Sequence, residues 1–300
     1  QFAHENFKKL REQVAELRQY EDASVRLGVS PHSPYTVSPQ QLELITDFAI
    51  TERLPLMMHA AESRAEEQFV HDARGPFAER HATRGIEWRA RGASTIQYLK
   101  EVGVLGARPL LAHCVRVDLP DIETIKESGA SVAHCPKSNA KLGHGHAPFA
   151  AFVEHGLTVG LGSDSVASNN TCDMLEEARF AALMSRADAG QLGSGPMTGC
   201  DEVLFAATLG GARALGLEDQ TGALAEGLQA DLAIFGLDGP HQLPVHDPVR
   251  ALVFASSGRD ALLTVVAGRE VYRDGRVQSV DEERLRARMK EIVKAVMSDK

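Results

Sequence analysis

The sequence predicts an α/β fold built as a (β/α)8 barrel of the TIM type, followed by a small β module. Three observations carry this. From Arg26 onward, short β-like runs alternate with amphipathic helical stretches, the pattern of parallel βα units. Consecutive runs end in histidine or aspartate, and strand ends are where barrel chemistry is placed. No GxGxxG follows the first run, so a doubly wound dinucleotide sheet, the other arrangement that such units fit, lacks its fingerprint.

The elements follow in order. Phe7, Leu10, Val14 and Leu17 share one face of a helix at 5–21. The chain thus opens at Gln1 inside a helical pattern and without Met, which reads as a fragment. Strand candidates are 26–30, 54–59, 108–113, 130–134 and 158–162. Between them, 38–51 begins Ser-Pro-Gln-Gln, a cap and then Pro at the first helical position, and carries Leu42, Ile45, Phe48 and Ala49 at helical spacing. A second helix, 118–128, opens Asp-Leu-Pro-Asp. The stretch 72–92, rich in Arg and Gly and holding Trp88, reads equally as a solvated insertion or a lid over the mouth of the fold. Helices at 174–189 and 201–215 close this part. Beyond Gly216, short strand candidates at 222–226, 231–235, 251–255 and 262–273 are separated by Gly, Pro and Asp, with Gly268-Arg269-Glu270 as a tight turn. A charged helix at 281–297 ends the chain. The expected domains are 1–216, 217–278 and 279–300.

Composition narrows function. Forty-three per cent hydrophobic residues with 24 % charged is globular, and the net charge of −9 with no Lys/Arg cluster removes the usual basis for nucleic-acid or anionic-membrane binding. Apolar runs fall short of the roughly 20 residues of a membrane helix and no leader is seen, so a cytoplasmic protein is expected. Cys114, Cys135, Cys172 and Cys200 form no CxxC pair, so structural disulfides are not expected. Twelve histidines is a high count for 300 residues.

Those histidines fall in a pattern. His32 follows the first candidate strand, His59 and Glu62 the second and His113 the third; His134 lies on the fourth, and Asp164 follows the fifth. A single histidine beside an apolar run is ordinarily a core residue. Successive strand ends of a barrel, however, converge on one rim, and imidazole with carboxylate is the ligand set of zinc or iron(II). The His59–Glu62 spacing lets the imidazole bind a metal while the carboxylate reaches past it to a substrate, although HxxE is frequent by chance. Asp164, at the tip of the glycine-flanked run Gly160-Leu161-Gly162-Ser163, can bind a ligand or cap a helix.

The residues that carry a family resemblance are Ser30-Pro31-His32-Ser33-Pro34-Tyr35, His59-Ala60-Ala61-Glu62-Ser63, Ala112-His113-Cys114-Val115, the run from His134 to Gly143, and Gly162-Ser163-Asp164-Ser165 through Asn170. In this order they resemble the amidohydrolase superfamily, and within it the zinc-dependent cytosine/adenosine-type deaminases and triazine hydrolases. Ala230-Asp231-Leu232-Ala233-Ile234 and Val265 to Val271 resemble the C-terminal return of that family's β-sandwich. The resemblance makes the predicted strands barrel strands four to eight. It implies one divalent metal, zinc before iron(II) or manganese, with His59 and Asp164 as ligands. Asp164 would also be general base, Glu62 the proton shuttle to a ring nitrogen and His113 the group that orients the attacking water; His32 and Asn169 would contact substrate. The implied reaction is hydrolytic deamination of a small adenine-type nucleoside, of the methylthioadenosine, S-adenosylhomocysteine or aminodeoxyfutalosine class, with release of ammonia. Triazine or guanine-type substrates are the alternative within the family. The binuclear relatives place a Lys at the end of strand four, where this sequence has Val29-Ser30-Pro31-His32.

One element of the family pattern is absent. A His-x-His at the end of barrel strand one normally supplies two ligands, and nothing before His32 provides it. His144-Gly145-His146 has that form but follows a loop, so mouth lining or solvent exposure is expected of it. Strands one to three and half of the sandwich are therefore expected to be missing, and a chain that serves only as a structural partner is the competing, non-enzymatic reading. A homo-oligomer is compatible with either.

Overall fold

The computed structural model describes residues 2–22, 24–192 and 198–298. Gln1, from which the fragment expectation starts, lies outside them. The chain divides after Glu218 into two compact units, 1–218 and 219–300.

The first unit is α/β around a parallel sheet. Helix α1 is Phe2–Leu17 and α2 Pro39–Glu52, the latter capped by the Ser38 hydroxyl, which accepts from the Gln41 N–H. Strands β1 Met57–Ala60, β2 Leu110–His113, β3 Ser131–His134 and β4 Val159–Leu161 pair in that order, all parallel. The predicted strand at 26–30 is reduced to a single parallel bridge between Val29 and Leu56. Connecting the strands are α3 Arg64–Asp72, α4 Pro76–Thr83, α5 Thr95–Glu101, α6 Leu119–Ser128, α7 Pro136–Lys141 and α8 Phe149–Glu154. Beyond β4 lie α9 Val166–Asn169, α10 Met174–Leu192, α11 Cys200–Ala207 and α12 Leu209–Ala214.

The core sits between sheet and helices. Met58, Leu111 and Val132 from the strands and Leu42, Leu99, Ile122 and Ile125 from the helices are almost fully buried. Leu111 lies on an interior strand with no exposure, so Leu111→Ala is expected to lower unfolding stability by about 2–5 kcal/mol, read from the urea midpoint at constant slope. A change below about 1 kcal/mol would show that the site collapses around the smaller side chain.

The helix predicted at 201–215 is two helices, broken at Thr208. The break lets α12 meet β4 at glycine: a Cβ on Gly160 would lie 2.8 Å from the Gly211 Cα, and one on Gly210 2.6 Å from the Val159 carbonyl oxygen. The 72–92 stretch contains α4 and is largely exposed, with no buried residue, but its aromatic side chains are anchored. Trp88 stacks on Phe69 at 4.4 Å and donates to the Phe69 carbonyl, while Phe77 stacks on Tyr35 at 3.9 Å.

The second unit holds an antiparallel sheet of β5 Leu232–Phe235, β6 Ala261–Val266, β7 Arg269–Arg273 and β8 Arg276–Val277. Three local expectations are corrected. Residues 251–254 are helical, in α13 Pro248–Phe254, with Ala255 as its C-cap, because Asp247 accepts from the Val249 and Arg250 N–H groups and Pro248 starts the helix; this cap overrides the β-like composition. Residues 222–226 form no strand but bends and irregular chain running into a turn at 226–227, with Gly222 and Gly227 both at positive φ. The hairpin turn lies at Ala267-Gly268, both left-handed, which leaves Arg269 and Glu270 in the strand. Helix α14, Glu282–Ser298, ends the described chain. No helix among the described residues is long and apolar enough to cross a membrane.

Candidate active site

The C-terminal ends of the parallel strands bring His59, His113 and Asp164 together. One donor atom from each can be chosen so that all three lie within 4.8 Å of one another. His59 is in β1, and its Nδ1 hydrogen-bonds to the His32 carbonyl oxygen at 2.9 Å, whose acceptor nature places the proton on Nδ1. Its Nε2 therefore offers a lone pair, 4.0 Å from Asp164 Oδ1. His113, the last residue of β2, has no solvent exposure and a φ of 78°. Its Nδ1 likewise donates to the Asn139 side-chain oxygen at 2.7 Å, and the buried Nε2 has no hydrogen-bond partner. Burial, against the pull of Glu62 and Asn139, keeps His113 below the ordinary histidine range and so neutral.

Asp164 follows β4 at a φ of 57°. Its Oδ2 accepts from the Ser138 hydroxyl at 2.7 Å and from the Ser168 hydroxyl, leaving Oδ1 on the side of His59. Burial works against its ionisation, but these two hydroxyls and the Ser165 N–H outweigh it and hold the carboxyl below its usual range. Two imidazoles with Nδ1 engaged and Nε2 turned to the cluster, and one carboxylate held ionised, are donors suited to zinc or a similar divalent cation. The acceptors behind the two Nδ1 atoms are the outer partners such ligands carry.

Glu62 stands beside this cluster, its Oε1 3.7 Å from His113 Nε2. Its backbone is set from below by Glu66, a fully buried carboxylate that accepts from the Ala61 and Glu62 N–H groups at 2.7 and 3.0 Å. Burial raises the Glu66 pKa to about 7 against those bonds. His32 is exposed at the rim, its ring 4.9 Å from that of His59.

Asn169 is not brought to this opening. It has no exposure; its amide donates to the Ser163 carbonyl and to Glu177, and its oxygen accepts from the Thr171 and Cys172 N–H groups. All its polar capacity goes to bracing the loop that carries Asp164. His134, also on the list of strand-end histidines, is buried against Phe149, and burial pushes its pKa down to about 3. Ser138, Asn139, Ser168 and Glu66 were not anticipated as site residues. The first three lie inside the motifs quoted above, and Glu66 lies four residues past Glu62, but no spacing marks a supporting group.

Comparison with known proteins places this geometry. Residues 1–271 match the amidohydrolase family. The chain is 36 % identical over 266 residues to a 5-methylthioadenosine/S-adenosylhomocysteine deaminase of Pelotomaculum thermopropionicum, covering 89 % of this chain and 57 % of that protein. Among solved structures, an adenosine deaminase of Xanthomonas campestris with bound zinc superposes with a TM-score of 0.83 at 28 % identity, over 97 % of this chain and 62 % of that one. A mutant of the atrazine chlorohydrolase of Arthrobacter aurescens, complexed with zinc and atraton, gives 0.79 at 26 % identity, over 96 % and 60 %. The chain thus spans about three fifths of the length of the proteins it matches. With the family match running through nine tenths of its residues, this chain belongs to the amidohydrolase family.

Proposed function

We propose that the full-length protein is a metal-dependent aminohydrolase that removes the exocyclic amine of an adenine-type nucleoside, of the methylthioadenosine, S-adenosylhomocysteine or aminodeoxyfutalosine class, as ammonia. The observation that carries this is the convergence of His59, His113 and Asp164, with Glu62 at its edge. The name of the 36 % identical relative supports the substrate class. In this reading the parallel sheet is part of a (β/α)8 barrel, and the protein acts in the cytoplasm on a soluble substrate.

His59 Nε2 and the Asp164 carboxylate would hold the metal, zinc before iron(II) or manganese, and bound there it would supply Lewis-acid activation of water at neutral pH. His113, buried and neutral, presents a lone pair from Nε2 that fixes the orientation of the attacking water. Asp164, kept ionised by its two serine donors, accepts the proton of that water. Glu62 in its acid form delivers a proton to the ring nitrogen next to the carbon under attack, so that charge does not build up on the purine. As the bond to the exocyclic amine breaks, the amine leaves as ammonia with the proton held by Asp164, and the new hydroxyl gives its proton back to Glu62 on becoming the carbonyl. His32 at the rim contacts the substrate.

Ammonia release tests the proposal. Full-length protein loaded with zinc is expected to turn over methylthioadenosine, S-adenosylhomocysteine or aminodeoxyfutalosine. Hydrolysis of a chlorotriazine or of guanine with no turnover of any of the three would move the protein to another branch of the family. The likeness to the atrazine chlorohydrolase is the reason to include the triazine.

A further inference from the structure

We propose that His144 is a positioning residue for Glu62, holding the carboxylate in the orientation from which it delivers its proton; this rests on the hydrolytic reading above. His144-Gly145-His146 is the one His-x-His of the sequence, and the site residues described so far leave it without a use. It follows α7 in a loop that turns back toward the sheet through Gly143 and Gly145, at φ of 73° and 100°, conformations that favour glycine. The turn places His144 Nε2 3.4 Å from Glu62 Oε1, the same oxygen that lies 3.7 Å from His113 Nε2. One carboxylate oxygen thus faces two imidazoles from different parts of the chain.

The two imidazoles are not equivalent. Asn139, fully buried, ties them together: its side-chain oxygen accepts from His113 Nδ1 at 2.7 Å, and its carbonyl oxygen accepts from the His144 N–H at 2.9 Å. The first bond puts the His113 proton on Nδ1, so His113 turns a lone pair, not a donor, toward Glu62. Among the described residues the Glu62 carboxylate accepts no hydrogen bond within ordinary limits. His144 is placed to give it one by presenting Nε2–H to Oε1. The terminal torsion of a glutamate is broad and roughly two-fold, so a carboxylate without such a donor samples many orientations. With Oε1 occupied by His144, Oε2 is left for the substrate. The His144 side chain is 25 % exposed, so its replacement leaves the core intact.

The test is a set of three variants in zinc-loaded, full-length protein, read by ammonia release from the nucleoside it turns over best. His144→Ala is expected to lower kcat about 10- to 100-fold, the worth of a hydrogen bond to a charged group, with KM unchanged. His144→Gln, whose carboxamide can donate from a similar reach, is expected to recover most of the loss. An unchanged kcat in His144→Ala, a loss confined to KM, or a Gln variant as slow as the Ala variant each overturns the assignment. Glu62→Gln, run beside them, separates the two levels. Retained turnover there sinks the hydrolytic reading itself, whereas an inactive Glu62→Gln with a normal His144→Ala sinks only the role of His144.

Discussion

Glu62→Gln is expected to cut kcat on the purine substrate by about 10²- to 10⁴-fold, the usual contribution of a positioned proton carrier, with bound metal and melting temperature unchanged. The substitution keeps the shape and volume of the side chain and removes only its capacity to carry a proton. The metal should stay because Glu62 stands outside the three-donor cluster of His59, His113 and Asp164. The fold should stay because Glu66 bonds the backbone N–H of residue 62, which the substitution leaves in place. Metal stoichiometry measured beside steady-state kinetics decides the matter: loss of metal in step with activity would make Glu62 a ligand and leave the proton path without its carrier.

The parts of the site legible in the sequence are those whose position repeats with the fold. Each βα unit delivers the residues at and just past the C-terminal end of its strand to the same rim, so His59, His113 and Asp164 could be placed together from strand ends alone. Their supports obey no such period. Ser138 and Asn139 sit on α7 and reach Asp164 and His113 across 26 residues of sequence, and Ser168 reaches Asp164 from α9. Residue type is equally uninformative there, since serine and asparagine are common in every turn. Asn169 shows the converse. Its place in the Asp-Ser-x-Ala-Ser-Asn-Asn run suggested a substrate contact, but a carboxamide has more bonding capacity than the loop backbone around it leaves unsatisfied, and it is consumed there. In the second unit the errors are local contests. A cap at Asp247 won over an apolar, strand-like run, and a left-handed pair at Ala267-Gly268 set the hairpin one residue ahead of the expected turn.

Asp164→Asn should be the most damaging conservative change at the site, because one carboxylate is asked to hold the metal and to accept a proton. Asn is also the fairest replacement. Position 164 has a φ of 57°, a region that Asn adopts more readily than Ala, so backbone strain is kept low in the comparison. The carboxamide has two ways to sit. With its oxygen at the Oδ1 position, the amide nitrogen meets the Ser138 and Ser168 hydroxyls, and these can rotate to accept; Ser168 already has a second partner in the Ser165 carbonyl oxygen at 3.0 Å. With its nitrogen at Oδ1, two N–H groups point at the cluster and exclude a cation. The first arrangement keeps a neutral and weaker ligand, and in neither is there a group able to take the proton from water. Turnover is therefore expected to fall at least about 10⁴-fold, beyond the single-role loss at Glu62, with metal content reduced but folding cooperative. Ammonia release, metal analysis and thermal unfolding on one preparation separate these effects. Metal at the unmodified protein's level with kcat within about tenfold of it would show that Asp164 is neither ligand nor base and leave its bonds to the Ser138 and Ser168 hydroxyls as its only work.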